Sequence, residues 1–218
     1  MSLPIPMGTR VHQQLVWRTA AALSLLTATA CGRAPARAAA PAPAAAARTA
    51  SPLPGYTAAD VRFMSGMIGH HQQAIVMCGW AAGHGAGDGV RILCGRIVVA
   101  QQDEIAFMRR WLQERREPVP PPDTAHTMHG PPMPGMLTPD EMAALDRARG
   151  AAWDDLLLRS MIRHHQGAIT MVEQLIDTPG AAQDAELFRF VSDVNADQST
   201  EIERMTRLLA AMNSGRNP

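Results

Sequence analysis

The chain has 218 residues, and its formal net charge is zero because 20 arginines balance 20 acidic side chains and lysine is absent. Aromatic residues make up only 4% of it, so composition and charge exclude a nucleic-acid protein that relies on bulk positive charge or base stacking. Five arginines precede Thr57 and no acid does, so residues 57–218 carry 15 arginines and 20 acids, a net charge of −5 that suits cations better than phosphates.

Residues 1–31 are typical of an export signal rather than of folded structure. Arg10 and Arg18 precede a short apolar run at residues 19–30, which is too short for a stable transmembrane span. The sequence Ala-Thr-Ala-Cys31 then resembles a lipoprotein cleavage site, which predicts a lipid on Cys31. Plain export, and an apolar N-terminal helix of a cytosolic protein, are the alternatives.

Residues 32–56 are rich in alanine and proline and carry no apolar pattern that could pack, which predicts a tether. We therefore expect one exported, extracytoplasmic domain at residues 57–213. Its contact with the membrane would be made through the lipid anchor.

The first half of the domain is predicted to be a helical hairpin. Thr57, with Asp60 three residues later, predicts the start of a helix that runs to about residue 82. A glycine-rich turn follows, and a second helix runs from about residue 88 to residue 117, where Pro118 stops it. The hairpin therefore covers residues 57–117.

The second half is predicted to be another hairpin, entered through an irregular crossover. Residues 118–137 contain seven prolines and two glycines, which excludes regular structure there. Over residues 138–213, Thr138-Pro-Asp-Glu starts a short helix to about residue 148, and long helices follow at about 151–177 and 182–213. No stretch shows sustained strand alternation, so the predicted fold is all-α, a four-helix bundle with one short extra helix.

The two hairpins repeat each other. Met-Ile-x-His-His-Gln-x-Ala-Ile-x-Met occurs at residues 67–77 and at residues 161–171, an offset of 94. Gln-x-x-Glu-Ile-x-x-Met occurs at residues 101–108 and at residues 198–205, an offset of 97. The bundle is therefore predicted to be a duplicated hairpin, each copy offering one His-His helix and one Gln/Glu/Met helix.

Helical spacing places the histidines and methionines of these motifs on inward stripes, where they are candidate metal ligands. The candidates are Met67, His70, His71, Met77, Glu104, Met108, Met161, His164, His165, Met171, Glu201 and Met205. Imidazole with thioether favours copper, especially Cu(I), whereas zinc would leave the methionines unexplained and a di-iron site needs more carboxylates. The metal-free alternative is a set of buried His/Glu hydrogen-bonded pairs with methionines filling space.

The crossover carries a second set of histidines and methionines. They are His126, Met128, His129, Met133 and Met136. Methionines in a loop rich in proline and glycine have no core to fill, which favours a flexible arm that captures copper. The alternative is a tether whose methionines cap the end of the bundle.

Cys78 and Cys94 lie almost symmetrically about the glycine-rich turn, which favours a disulfide across the first hairpin in an exported protein. Free thiols and a copper–thiolate site are the alternatives. Val172 stands at the position matching Cys78, so the cysteine pair is not part of the duplicated chemistry.

Enzyme signatures are missing from the sequence, which has no phosphate-cradling glycine loop, no Gly-x-Ser-x-Gly and no His-Glu-x-x-His. We therefore expect no catalytic turnover. A redox enzyme that uses the same metal is the weaker alternative.

The doubled His-His motif, each copy followed by Gln-x-x-Glu-Ile-x-x-Met, resembles the domain-of-unknown-function 305 family over residues 57–212. The similarity includes Met133-Pro-Gly-Met136 and the Thr-Pro-Asp-Glu-Met-Ala-Ala-Leu run at residues 138–145. The resemblance implies a ferritin-like four-helix bundle, usually exported, with some members linked to extracytoplasmic copper binding and resistance. Carried over by position, it implies the same histidine, methionine and glutamate ligands.

Several positions depart from the family pattern. Gly69 and Arg163 stand where the family commonly has proline, and Cys78 directly follows the first motif. Leu158 replaces Met64 in the second copy, which argues against two equivalent metal sites.

The function expected from the sequence is copper sequestration, transfer or resistance outside the cytoplasm. The alternative is a structural or adaptor lipoprotein without metal. Copper is the expected ion, with zinc, iron or no metal as alternatives. A second copy of the chain or an unidentified protein remain open as partners.

Overall fold

A computed structural model describes residues 55–122 and 133–215, which contain five helices and no strands. The helices are α1 (Ala58–Gly79), α2 (Asp88–Glu114), α3 (Pro139–Arg147), α4 (Gly150–Ile176) and α5 (Ala185–Ser214). The predicted all-α fold is confirmed, and none of these helices is both long and apolar enough to cross a membrane. Several predictions fall outside the described residues. They concern the export signal with Cys31, nearly all of the tether, and His126, Met128 and His129.

Both predicted capping boxes are present. The Thr57 side chain accepts from the Asp60 amide, and the Asp60 carboxylate accepts from the Thr57 amide at 2.6 Å. Thr138 and Glu141 make the same reciprocal pair at the start of α3. These bonds satisfy amides that lack an intrahelical partner, which explains why the two helices begin there.

Two helices end about three residues before their predicted ends. After Gly79 the hydrogen bonds change from the α-helical spacing to a tighter turn, since the Ala81 amide bonds to the Cys78 carbonyl at 3.1 Å. Arg116 adopts a φ of 59°, which is left-handed and ends α2 before Pro118 can do so.

The helices form two antiparallel hairpins, α1 with α2 and α4 with α5, which meet mainly through α1 and α4. The short α3 packs on α4, where Arg163 donates to Glu141 at 2.6 Å.

The bundle core consists of two apolar clusters with a polar layer between them. Cluster A lies at the α1–α2 turn and includes Met77, Cys78, Cys94, Met161 and Met205. Cluster B lies at the opposite end and includes Met67, Met108, Ala168, Val172 and Val191. Each long helix contributes two residues between the clusters, and we call this set the polar layer. Its members are His70, His71, Gln101, Glu104, His164, His165, Gln198 and Glu201.

Two aspartates of the repeat join the hairpins at opposite ends. Asp60, in α1, accepts from the Ala182 amide in the α4–α5 turn at 2.8 Å. Asp154, in α4, accepts from the Gly87 amide at the start of α2 at 3.0 Å. The two positions differ by 94, the offset of the His-His motifs, so each hairpin holds the turn of the other through the same side chain.

Candidate functional site

The centre of the polar layer is a pair of facing histidines from α1 and α4. The ring centroids of His70 and His164 are 3.9 Å apart, with 40° between the ring planes. Both side chains are buried, with relative exposures of 0% and 1%. The first histidine of each motif therefore meets its counterpart from the other hairpin.

The second histidine of each motif pairs with a glutamate of its own hairpin. His71 Nε2 contacts the Glu104 carboxylate, and His165 Nε2 donates to Glu201 Oε2 at 2.6 Å. The two candidate glutamates thus hold His71 and His165, and the central pair has other surroundings. In a neutral ring that donates through Nε2, Nδ1 keeps its lone pair.

The end of the crossover is seated against His70. The Pro134 carbonyl lies 3.0 Å from His70 Nε2 and can only accept, so this nitrogen carries the proton. Gly135 adopts a φ of 76°, and a Cβ at Gly167 would lie 2.0 Å from the Pro134 carbonyl oxygen. Only glycine at position 167 lets this backbone approach α4 so closely.

Gln73 fixes the same segment from α1. Its amide donates to the Leu137 carbonyl at 2.9 Å and accepts from the Leu137 amide at 2.8 Å. Gln73 and Gly167 occupy matching positions of the two motifs. The two copies of the motif therefore differ where the crossover packs on the bundle. Gln73 of the first copy hydrogen-bonds the crossover, and Gly167 of the second copy leaves space for its backbone.

The layer contains buried nitrogen atoms without a hydrogen-bond partner among the described residues. They are Nδ1 of His70, His71 and His165, and both ring nitrogens of His164. A buried polar atom that lacks a partner costs about 1–3 kcal/mol, so natural structures usually give it a partner, a water or a ligand. His164 is the least satisfied of the four rings.

Burial keeps the central pair uncharged. It lowers the pKa of His70 to about 3, with a further lowering from His71. Burial also lowers the pKa of His164 well below its ordinary value, and the nearby His70 adds to this effect. Both rings are therefore neutral at physiological pH, which is the form that binds a metal ion.

The predicted methionine ligands lie on both sides of the layer. Met67 and Met108 belong to cluster B, and Met77, Met161 and Met205 belong to cluster A, all at 0–1% exposure. Both faces of the histidine layer are thus lined by clusters that contain thioethers.

Met171 departs from its repeat partner, because it is half-buried while Met77 is fully buried. It lines a surface cleft of about 290 Å³ together with Met133 of the crossover. A Cβ at Gly66 would lie 3.3 Å from Met133 Sδ and 3.7 Å from Met171 Cε, so the two thioethers share one small space. Met136 is half-buried as well.

Within residues 55–122 and 133–215, no three His, Cys, Asp or Glu side chains are grouped as a metal ion would require. The donors that the structure does bring together are an imidazole pair with thioethers on either side. Such a set fits a soft ion of low coordination number better than zinc or iron.

The predicted disulfide is not formed in this structure, since Cys78 and Cys94 are both free and buried. Burial raises the pKa of Cys78 well above its ordinary value, and the neighbouring Cys94 thiol adds to this effect.

Sequence reasoning missed the residues that connect the hairpins. Asp60 was assigned only a capping role, and Asp154, Gln73 and Gly167 received none. Extending the offset of 94 from the His-His motif back to Asp60 would have found Asp154.

The family model of the domain of unknown function 305, DUF305, matches residues 60–209. The chain is a DUF305 protein. Two solved DUF305 structures are similar to it, each with a TM-score of 0.62. One, from Streptomyces coelicolor and described as secreted, is 29% identical and covers 71% of this chain and 94% of its own. The other, a fragment from Deinococcus radiodurans, is 28% identical and covers 72% and 99%.

Structures of a protein named CopM are also similar to this DUF305 chain. The Cu(I)-bound form is 28% identical, with a TM-score of 0.55, and the Cu(II)-bound form is 29% identical, with a TM-score of 0.57. Each covers 70% of this chain and 96% of CopM. CopM has also been solved with silver bound. No curated protein matches the chain.

Proposed function

We propose that this DUF305 protein binds copper as Cu(I) outside the cytoplasm, and sequesters it or passes it on without catalytic turnover. The ligands would be imidazoles of the polar layer and thioethers of the adjoining clusters. Copper is here the cargo of the protein.

The observation that carries the proposal is the His70–His164 pair. Two neutral imidazoles from different hairpins face each other at the centre of the bundle, and neither ring nitrogen of His164 has a hydrogen-bond partner within residues 55–122 and 133–215. A metal ion bound to His164 and to Nδ1 of His70 would satisfy these atoms, and His70 could keep its bond to Pro134.

Donor chemistry favours copper over other ions. Thioether sulfur selects Cu(I), and the buried methionines on both sides of the layer supply several thioether sulfurs. CopM binds Cu(I), Cu(II) and silver, and silver is a soft monovalent ion like Cu(I). The alternatives, zinc and iron, would use the histidines but not the thioethers.

The remaining candidates receive supporting roles in the proposal. Glu104 and Glu201 hold His71 and His165 through Nε2, which leaves the buried Nδ1 of each ring as the nitrogen that copper could bind. Met133 and Met171 at the surface cleft, and Met136 beside them, would receive the ion first, together with His126, Met128 and His129.

We place the protein outside the cytoplasm because of the signal-like residues 1–31 and the tether that follows. Cys31 would carry a lipid that anchors the domain to a membrane. The similarity to a protein described as secreted supports export.

The test is an anaerobic competition titration of the protein with Cu(I) against a strong chelator, with bound copper counted by native mass spectrometry. We expect the His70→Gln/His164→Gln double variant to lose tight binding while its helical circular dichroism is retained. His84→Gln is the matched control, because His84 is also buried but bonds to Trp80 and Asp146 outside the layer. An unchanged copper stoichiometry in the double variant would contradict the assignment.

A metal-free structural protein is the second candidate, and the His71–Glu104 and His165–Glu201 pairs favour it. In that case the layer fixes the register of the helices. Substitution of either His70 or His164 alone would then destabilise the fold strongly. Copper would not change the stability of any variant.

A further inference from the structure

Cys78 and Cys94 form a buried pair that the proposed copper site does not use. They lie on α1 and α2, close to the turn that joins these helices, and their exposures are 4% and 2%. Both side chains belong to cluster A, and the Cys94 thiol lies close enough to Cys78 to raise its pKa. The two side chains therefore meet across the first hairpin.

The second hairpin shows what packing alone requires at this place. The offsets of 94 and 97 make Val172 and Val191 the counterparts of Cys78 and Cys94. Both valines are buried, at 2% and 0% exposure. Since an apolar valine pair fills the equivalent positions, the fold does not need sulfur there, and the thiols add chemistry to the first hairpin alone.

We propose that Cys78 and Cys94 are a dithiol–disulfide couple that closes the first hairpin covalently on oxidation. The two S–H bonds break, one S–S bond forms between Cys78 and Cys94, and two protons are released. The two electrons reduce a small-molecule disulfide, which takes up two protons and leaves as its two thiols. The structure holds the reduced form.

The surroundings favour the disulfide over the other use of two thiols, a copper–thiolate site. Two thiolates on one Cu(I) carry a net negative charge, whereas a disulfide is neutral. The pair is buried in cluster A, among apolar side chains. A negative charge is therefore disfavoured at this place, and the neutral product fits it.

Closing the pair would restrain the unfolded chain over a loop of about 17 residues. Oxidation should therefore raise the midpoint of thermal unfolding by roughly 5–10 °C for a domain of this size. The gain belongs to the first hairpin, because the second has no cysteine at the matching positions.

The test uses the full chain with Cys31→Ser, so that Cys78 and Cys94 are the only cysteines left. The protein is unfolded and refolded without metal in glutathione buffers that range from fully reduced to fully oxidised. Free thiols are then trapped with an alkylating reagent, and peptides are mapped by mass spectrometry. Cys78→Val/Cys94→Val is the matched control, since it copies the second hairpin and should fold with no response to the buffer.

We expect a Cys78–Cys94 disulfide in oxidising buffer, with the rise in unfolding temperature, and neither in the valine variant. Two free thiols at every glutathione ratio would overturn the proposal. A stable mixed disulfide between glutathione and one cysteine would overturn it as well, because it would show a single reactive thiol. Neither result depends on copper, so the outcome is independent of the proposed function.

Discussion

At the scale of single residues, the polar layer is defined by which histidine nitrogen has a partner. His71 and His165 use Nε2 on glutamate, and His70 uses Nε2 on the Pro134 carbonyl. His164 uses neither nitrogen among the described residues. Four rings of one sequence motif thus differ in their chemistry because of what lies opposite them.

The buried neutral histidines should make the metal-free protein sensitive to acid. Unfolded His70 and His164 titrate near the ordinary pKa of 6.5, whereas the folded pKa of His70 is about 3 and that of His164 is well below 6.5. The unfolded state therefore binds more protons than the folded state below about pH 6.5, and the free energy of unfolding falls as the pH falls. We expect a loss of about 1 kcal/mol per pH unit for each ring.

Chemical denaturation of the metal-free protein between about pH 7.5 and pH 5 measures this loss. His164→Gln should flatten the pH dependence of the free energy of unfolding. An equally steep dependence in His164→Gln would show that other groups cause it.

The close packing of the crossover against α4 depends on Gly167. Gly167→Ala would place a Cβ against the Pro134 carbonyl, so we expect the loop to shift and the protein to lose about 2–4 kcal/mol of stability. Gly95→Ala is the matched control, since Gly95 lies in α2 with nothing within 4 Å of its would-be Cβ. It should gain about 0.5–1 kcal/mol from helix propensity. Equal stability of the two variants in urea unfolding would refute the close approach.

At the scale of helices and turns, the two aspartates hold the hairpins together at their ends. Asp60 accepts from its own helix start and from the Ala182 amide, and Ala182 adopts a strained φ of 53°. Asp154 accepts from the Gly87 amide alone, and its second oxygen has no partner among the described residues.

Asp60→Ala should therefore cost more stability than Asp154→Ala. We expect about 3 kcal/mol for the first, which leaves the amides of Thr57 and Ala182 without their acceptor, and about 1–2 kcal/mol for the second, which leaves only the Gly87 amide. Asp103→Ala, at an exposed position of α2, is the control and should change stability by less than about 0.5 kcal/mol. Urea unfolding measures all three, and a larger loss for Asp154→Ala would contradict the ranking.

At the scale of the whole molecule, much of the fold could be predicted because its signals are local or repeated. The caps at Thr57 and Thr138 and the spacing of the doubled motifs predicted the helix starts and the inward histidines. Helix ends were less accurate, since Arg116 ends α2 through its backbone conformation, which residue type does not predict.

The contacts between hairpins could not be predicted in the same way. Three of these contacts depend on how the two hairpins are placed in space. They are the facing rings of His70 and His164, the approach of Pro134 to Gly167, and the hydrogen bond from the Ala182 amide to Asp60. Periodicity along one helix shows which face is buried but not which residue it meets. The sequence therefore predicted the donors of the site and not their pairing.

In the proposed site, Cu(I) joins the two hairpins through imidazole and thioether ligands. Copper K-edge X-ray absorption of the anaerobic, Cu(I)-loaded protein tests this claim most directly, because nitrogen and sulfur neighbours scatter differently. We predict both imidazole nitrogen and sulfur in the shell around copper, with a smaller imidazole contribution in His70→Gln/His164→Gln. A shell without imidazole, or one unchanged in the double variant, would contradict the account.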